Sequence, residues 1–101
     1  MTVSAHPSSD GTELTIKVAG RFDFSAHQDF RQTYESAAAD VQKYTIDMTD
    51  ATYLDSSALG MLLLLRDHAG GDSASISIVN CNPDVRKILN ISNFGQLFHI
   101  E

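Results

Sequence analysis

At 101 residues the chain has room for one hydrophobic core, so one domain over residues 1–101 is expected. A formal net charge of -6, from 7 basic and 13 acidic residues, argues against binding the phosphate backbone of nucleic acid. No apolar window reaches the roughly 18 to 20 residues of a membrane span, and MTVSAHPSSDG lacks the basic and apolar regions of a signal peptide, so a cytoplasmic protein is expected.

Residues Thr2 to Pro7 and Thr12 to Ala19 read as two strands around an SSDG turn, because Leu14, Ile16 and Val18 alternate with polar neighbours. They predict an antiparallel hairpin. GRFDF reads as a loop, after which Ser25 and Gln28 form a capping-box signal for a helix carrying Phe30, Tyr34, Ala37 and Ala38 and ending near Asp40. KYTIDM is a third strand, SALGMLLLLRDHA a second helix stopped by Gly70 and Gly71, and SISIV a fourth strand. Asn82 as N-cap and Pro83 at the first helical position open a third helix with Val85, Ile88 and Leu89 on one face, and LFHI reads as a last strand. Strands separated by helices after Gly20 imply parallel pairing behind the hairpin, hence an α/β fold with a mixed sheet.

The second helix carries the chemistry. At about 100 degrees per residue, Ala58, Met61, Leu62, Leu65 and Ala69 share the side expected to face the sheet. The opposite side collects Ser56, Gly60, Leu63, Leu64 and Asp67. Two outward leucines fit a partner surface or packing under a neighbouring helix. Gly60 fits close approach of another backbone or an internal packing need. Either Asp55 or Ser56 would serve as N-cap, and neither choice places Glu or Gln at the third helical position. A phosphate on Ser56 would bring roughly -1.5 to -2 charges to a helix N-terminus, where amides and the macrodipole tolerate an anion. A partner packed over it would have to desolvate that charge.

The segments VAGRFDF, TIDMTDATYLDSSALG, ISIVN, PDVRKIL and ISNFGQLFHI together resemble the STAS-domain anti-sigma factor antagonists over nearly the whole chain. The resemblance implies a STAS fold and a non-enzymatic protein that binds a cytoplasmic anti-sigma factor, often a serine kinase, and so frees a sigma factor. It further implies Ser56 as phosphoacceptor, Asp55 as the acid beside it, and Ser57 as a hydroxyl that is usually unmodified. A PP2C-type phosphatase would restore the serine, and the chain would need no cofactor of its own. Composition does not set the oligomeric state, and a monomer when free is the default expectation. Arg21 and Asp23 match the family's region beside the serine helix, either as partner contacts or as a solvated turn. Ala58 departs from a glycine common in the family and should stiffen the first helical turn.

Competing classes leave fewer traces. An enzyme with Ser56 as nucleophile lacks a G-x-S-x-G elbow, and His68 lies twelve residues along the helix, about 18 Å away. His6, His27 and His99 are scattered, so only tertiary placement could bring His27 or His99 near, and no metal-ligand spacing is recognisable. A receiver domain would use Asp55 or Asp47 as phosphoacceptor, but the acidic pair expected after a first strand is missing. Cys81 reads as a small core residue at a strand end, with no neighbour to activate it.

Overall fold

The computed structural model describes residues 3–37 and 41–101. Five strands form one sheet in the order β1-β2-β3-β4-β5, with β1 antiparallel to β2 and the other neighbours parallel, so the fold is α/β with a mixed sheet. The strands are β1 Val3–Pro7, β2 Glu13–Phe22, β3 Lys43–Leu54, β4 Ile76–Val79 and β5 His99–Ile100, and the helices are α1 His27–Glu35, α2 Ser56–His68 and α3 Pro83–Ile91.

Register explains the core. Ile16 pairs with Ile46, Ile46 with Ile78, and Ile78 with Ile100, which lays an aliphatic row across four strands. Their neighbours Thr15, Lys17, Thr45 and Asp47 lie on the other face and are not buried, as the two-residue period of a half-covered sheet requires. Phe30 and Tyr34 of α1 and Ala58, Met61, Leu62 and Leu65 of α2 are buried, so the sheet-facing side expected for α2 is the side that packs.

Several boundaries differ from the sequence expectation. GRFDF is not wholly loop: β2 continues through Gly20, Arg21 and Phe22 because β3 runs on past Met48 to Leu54 and supplies their partners. The alternation is lost to the eye there because two register irregularities change the phase of burial. The Ser25 to Gln28 capping box does not form. Instead Asp23 caps a 3-10 turn, Phe24–Ala26, by accepting from the backbone N–H and the hydroxyl of Ser25. Helix α1 ends at Glu35, where the Ser36 N–H closes onto Gln32 and Tyr34 carbonyls, rather than near Asp40. Ala37 thus lies beyond the helix, while Ala38 and Asp40, like Thr2, fall outside the described residues. Only His99 and Ile100 of LFHI pair as strand, since a 3-10 turn at Phe94–Gln96 leads directly into Leu97 and Phe98.

Candidate functional site

The site begins where β2 and β3 end together. Phe22 pairs with Leu54, and the Asp55 N–H donates to the Phe22 carbonyl at 3.4 Å. Asp55 keeps an extended backbone, and its carboxylate accepts from the Ala58 N–H at 3.0 Å. The cap is therefore Asp55, which resolves the choice the sequence left open. Ser56 and Ser57 become the first two helical residues, both exposed, and neither hydroxyl has a hydrogen-bond partner among the described residues.

Beside them, Arg21 stands opposite Tyr53 in the parallel ladder, with its guanidinium 4.7 Å from the ring centroid. Arg21 Nε also approaches Asp23 Oδ2 at 3.6 Å. The Ser25 hydroxyl and backbone N–H, with Arg21 adding less, hold the Asp23 carboxyl below the usual carboxylate range. Arg21 and Asp23 are thus tied to the strand end rather than left in a free turn.

Along α2, Leu63 is 40% and Leu64 48% exposed, so neither packs under a neighbouring helix. Leu64 and Gly60 line an open hollow of about 460 Å³ with Phe24, His27, Ser57 and Met61. Leu63 and Asp67 are exposed but do not line it. A side-chain carbon built on Gly60 would meet nothing within 4 Å, so no internal packing demands glycine there. Phe24, 65% exposed, escaped the sequence reading because it precedes α1 in a stretch read as loop, whereas His27, the first residue of α1, is brought beside Ser57 by the tertiary placement that the sequence left open. Tyr53 escaped because β3 was expected to end at Met48. The signal for Phe24 was an aromatic residue that neither periodicity placed in the core.

The other candidates lie apart. His27 shares the hollow with Ser57, yet no hydrogen bond joins it to either serine among the described residues. His68 packs on Tyr34, with centroids 4.8 Å apart, His6 bonds Ser4, and His99 lies 3.7 Å from Glu101. Asp47 accepts from the Thr49 hydroxyl and N–H and from Asn80, and these bonds outweigh the opposing effect of partial burial to lower its pKa. Burial pushes the half-buried Cys81 thiol up, away from the reactive thiolate. A second apolar groove of about 430 Å³ runs between β1 and α1, over Val3, Leu14, Thr33 and Ala37, away from the serines.

What this arrangement presents is an exposed hydroxyl, without a hydrogen-bond partner among the described residues, at a capped helix start beside exposed Leu64, Phe24 and Tyr53. The family model described as "Mlab, STAS domain" matches residues 5–99. A STAS-domain containing protein of Pseudomonas aeruginosa is 66% identical over 100 residues, covering 99% of either chain. Among solved structures, an anti-sigma factor antagonist from Mycobacterium paratuberculosis superposes with a TM-score of 0.81 at 18% identity, covering 98% of this chain and 83% of that one. The unphosphorylated form of the anti-sigma factor antagonist SpoIIAA gives 0.75 at 17%, covering 98% and 86%. At such identities the superpositions establish the fold.

Proposed function

Because the chain belongs to the STAS-domain family, we propose that it is an anti-sigma factor antagonist that acts in the cytoplasm by binding rather than catalysis. Unmodified, it holds an anti-sigma factor that is also a serine kinase, and a sigma factor is freed. Phosphorylation of Ser56 by that kinase ends the complex, and a PP2C-type phosphatase restores it. ATP and divalent metal serve those partners.

One observation carries this reading: Asp55, not Ser56, caps α2, which leaves an exposed hydroxyl at the first helical position. Modification there adds a dianion that the helix N-terminus tolerates. The same charge on a face built from Leu63, Leu64 and Gly60 imposes on any covering partner a desolvation cost of several kcal/mol. The fold persists while the complex is lost. Asp67 at the far end of α2 and Arg21 and Asp23 at the strand end extend the contact surface on this reading.

A second reading is an interaction module of another switching or scaffold complex, in which the exposed Leu63 and Leu64 face alone carries the contact. There α2 would bind a partner without any change at Ser56. Quantitative pull-down from native cytoplasm with wild type, Ser56→Ala and Ser56→Asp as baits separates the two. The antagonist reading expects wild type and Ser56→Ala to retain a kinase-like anti-sigma factor that Ser56→Asp releases, together with acid-stable phosphoserine on the protein recovered from cells. Equal retention by all three baits would overturn it.

A further inference from the structure

Strand β3 reaches Ser56 through an irregular stretch. Its ladder with β4 ends at the Asp47 and Val79 pair, so beyond Asp47 its ladder partner among the described residues is β2 alone. Even that support is loosened. Between the Lys17–Asp47 and Ala19–Asp50 pairs β3 uses three residues to the two of β2, and between Gly20–Ala51 and Arg21–Tyr53 it uses two to one. Two extra residues in so short a span bend the strand and break its ladder twice.

On the side that β4 has left, one side chain takes its place. Asn82 Nδ2 donates to the Ala51 carbonyl at 3.0 Å, while its Oδ1 accepts from the Val85 N–H at 2.8 Å as the N-cap of α3. A single amide group thus joins the start of α3 to the segment that delivers Asp55 and Ser56. Asn80 adds a parallel link by donating to Asp47 at 3.2 Å, from a backbone at φ 62 that an asparagine tolerates.

We propose that Asn82 is a positioning residue for the serine site, substituting its side-chain amide for the missing β4 partner and so fixing where β3 hands over to α2. The functional part of this proposal rests on the reading of Ser56 given above. Asn82→Asp separates the two bonds, because aspartate caps a helix as well as asparagine does but has no hydrogen to give the Ala51 carbonyl. Asn82→Ser also keeps a capping oxygen, and its shorter side chain draws the remaining O–H donor back from the Ala51 carbonyl.

The test is amide hydrogen exchange on the full-length variants, followed by NMR at Asp55, Ala58, Val85 and Ile46. Loss of one part-buried hydrogen bond should speed exchange about tenfold at Asp55 and Ala58, with Val85 and Ile46 within about twofold of wild type. Unchanged rates at Asp55 and Ala58 would overturn the proposal, and so would equal acceleration at all four, which marks a merely structural residue. Should Asn82→Asp fold poorly, Asn82→Ser is read in the same way. In the pull-down, Asn82→Asp should retain several-fold less of the protein that wild type holds and Ser56→Asp releases, and equal retention would count against the positioning role. If wild type and Ser56→Asp retain the same proteins, the Ser56 reading fails, while the exchange rates still decide whether Asn82 positions the β3–α2 junction.

Discussion

Asp55 and Ser56 are neighbours with different duties, and the difference rests on one dihedral pair. Asp55 remains extended at φ -114 and ψ -174, which turns its carboxylate back onto the Ala58 N–H. Ser56 is already helical and so projects its hydroxyl outward. Four residues further on, Gly60 has open space where a side chain would stand and no left-handed backbone to excuse it. A glycine inside an exposed helix costs about 1 kcal/mol relative to alanine, so Gly60→Ala should stabilise the isolated protein by up to that amount. Differential scanning calorimetry should find a rise of up to about 4 to 8 °C, and a lower melting temperature would show that the site is not open. The same variant should be retained less well by the partner, because the added methyl stands on the docking face.

At the level of elements, the β1–β2 turn and the entries to the 3-10 turn at Phe24 and to α2 are set by the short acids Asp10, Asp23 and Asp55. In the turn between β1 and β2, Asp10 accepts from the Thr12 N–H, the Ser8 hydroxyl and the Thr12 hydroxyl, which lower its pKa from 3.8 to about 2. The folded state therefore binds this proton less readily than the unfolded chain. The stabilisation is in full force above about pH 4 and fades as the pH falls toward 2. Asp10→Asn removes the titration, so its melting temperature should fall less steeply than that of wild type across that interval. Parallel slopes would mean that the turn opens before acid reaches it. Asp23 shows the same device at the entry to α1, and there it displaced a capping box that Ser25 and Gln28 spelled plainly. Local motif and local structure disagree because Asp23 lies two residues nearer the end of β2, where the chain must turn.

For the molecule as a whole, the row from Ile16 through Ile46 to Ile78 ties the parallel strands into one core, and all three residues are fully buried. Truncating the middle one, Ile46→Ala, should cost about 2 to 5 kcal/mol of a total near 5 to 15, read as a lower urea midpoint at unchanged slope. A cost below about 1 kcal/mol would deny that the row is continuous. The amino-acid sequence by itself determined the α/β class, the hairpin, the helices and the buried side of α2, because regular alternation and helical spacing are local and one-sided burial writes them into residue order. It also marked Asp55, Ser56 and the outward leucines. Only tertiary structure decided that Asp55 is the cap, that β2 and β3 run on to Phe22 and Leu54, that Phe24 and His27 border Ser57, and that Asn82 reaches Ala51. The cap is a three-residue contact, but Asp55 is held at the strand end by its bond to the Phe22 carbonyl; the others depend on contacts between residues far apart in the chain, or on bulges that shift the pairing period, and none of these leaves a periodic trace in the sequence.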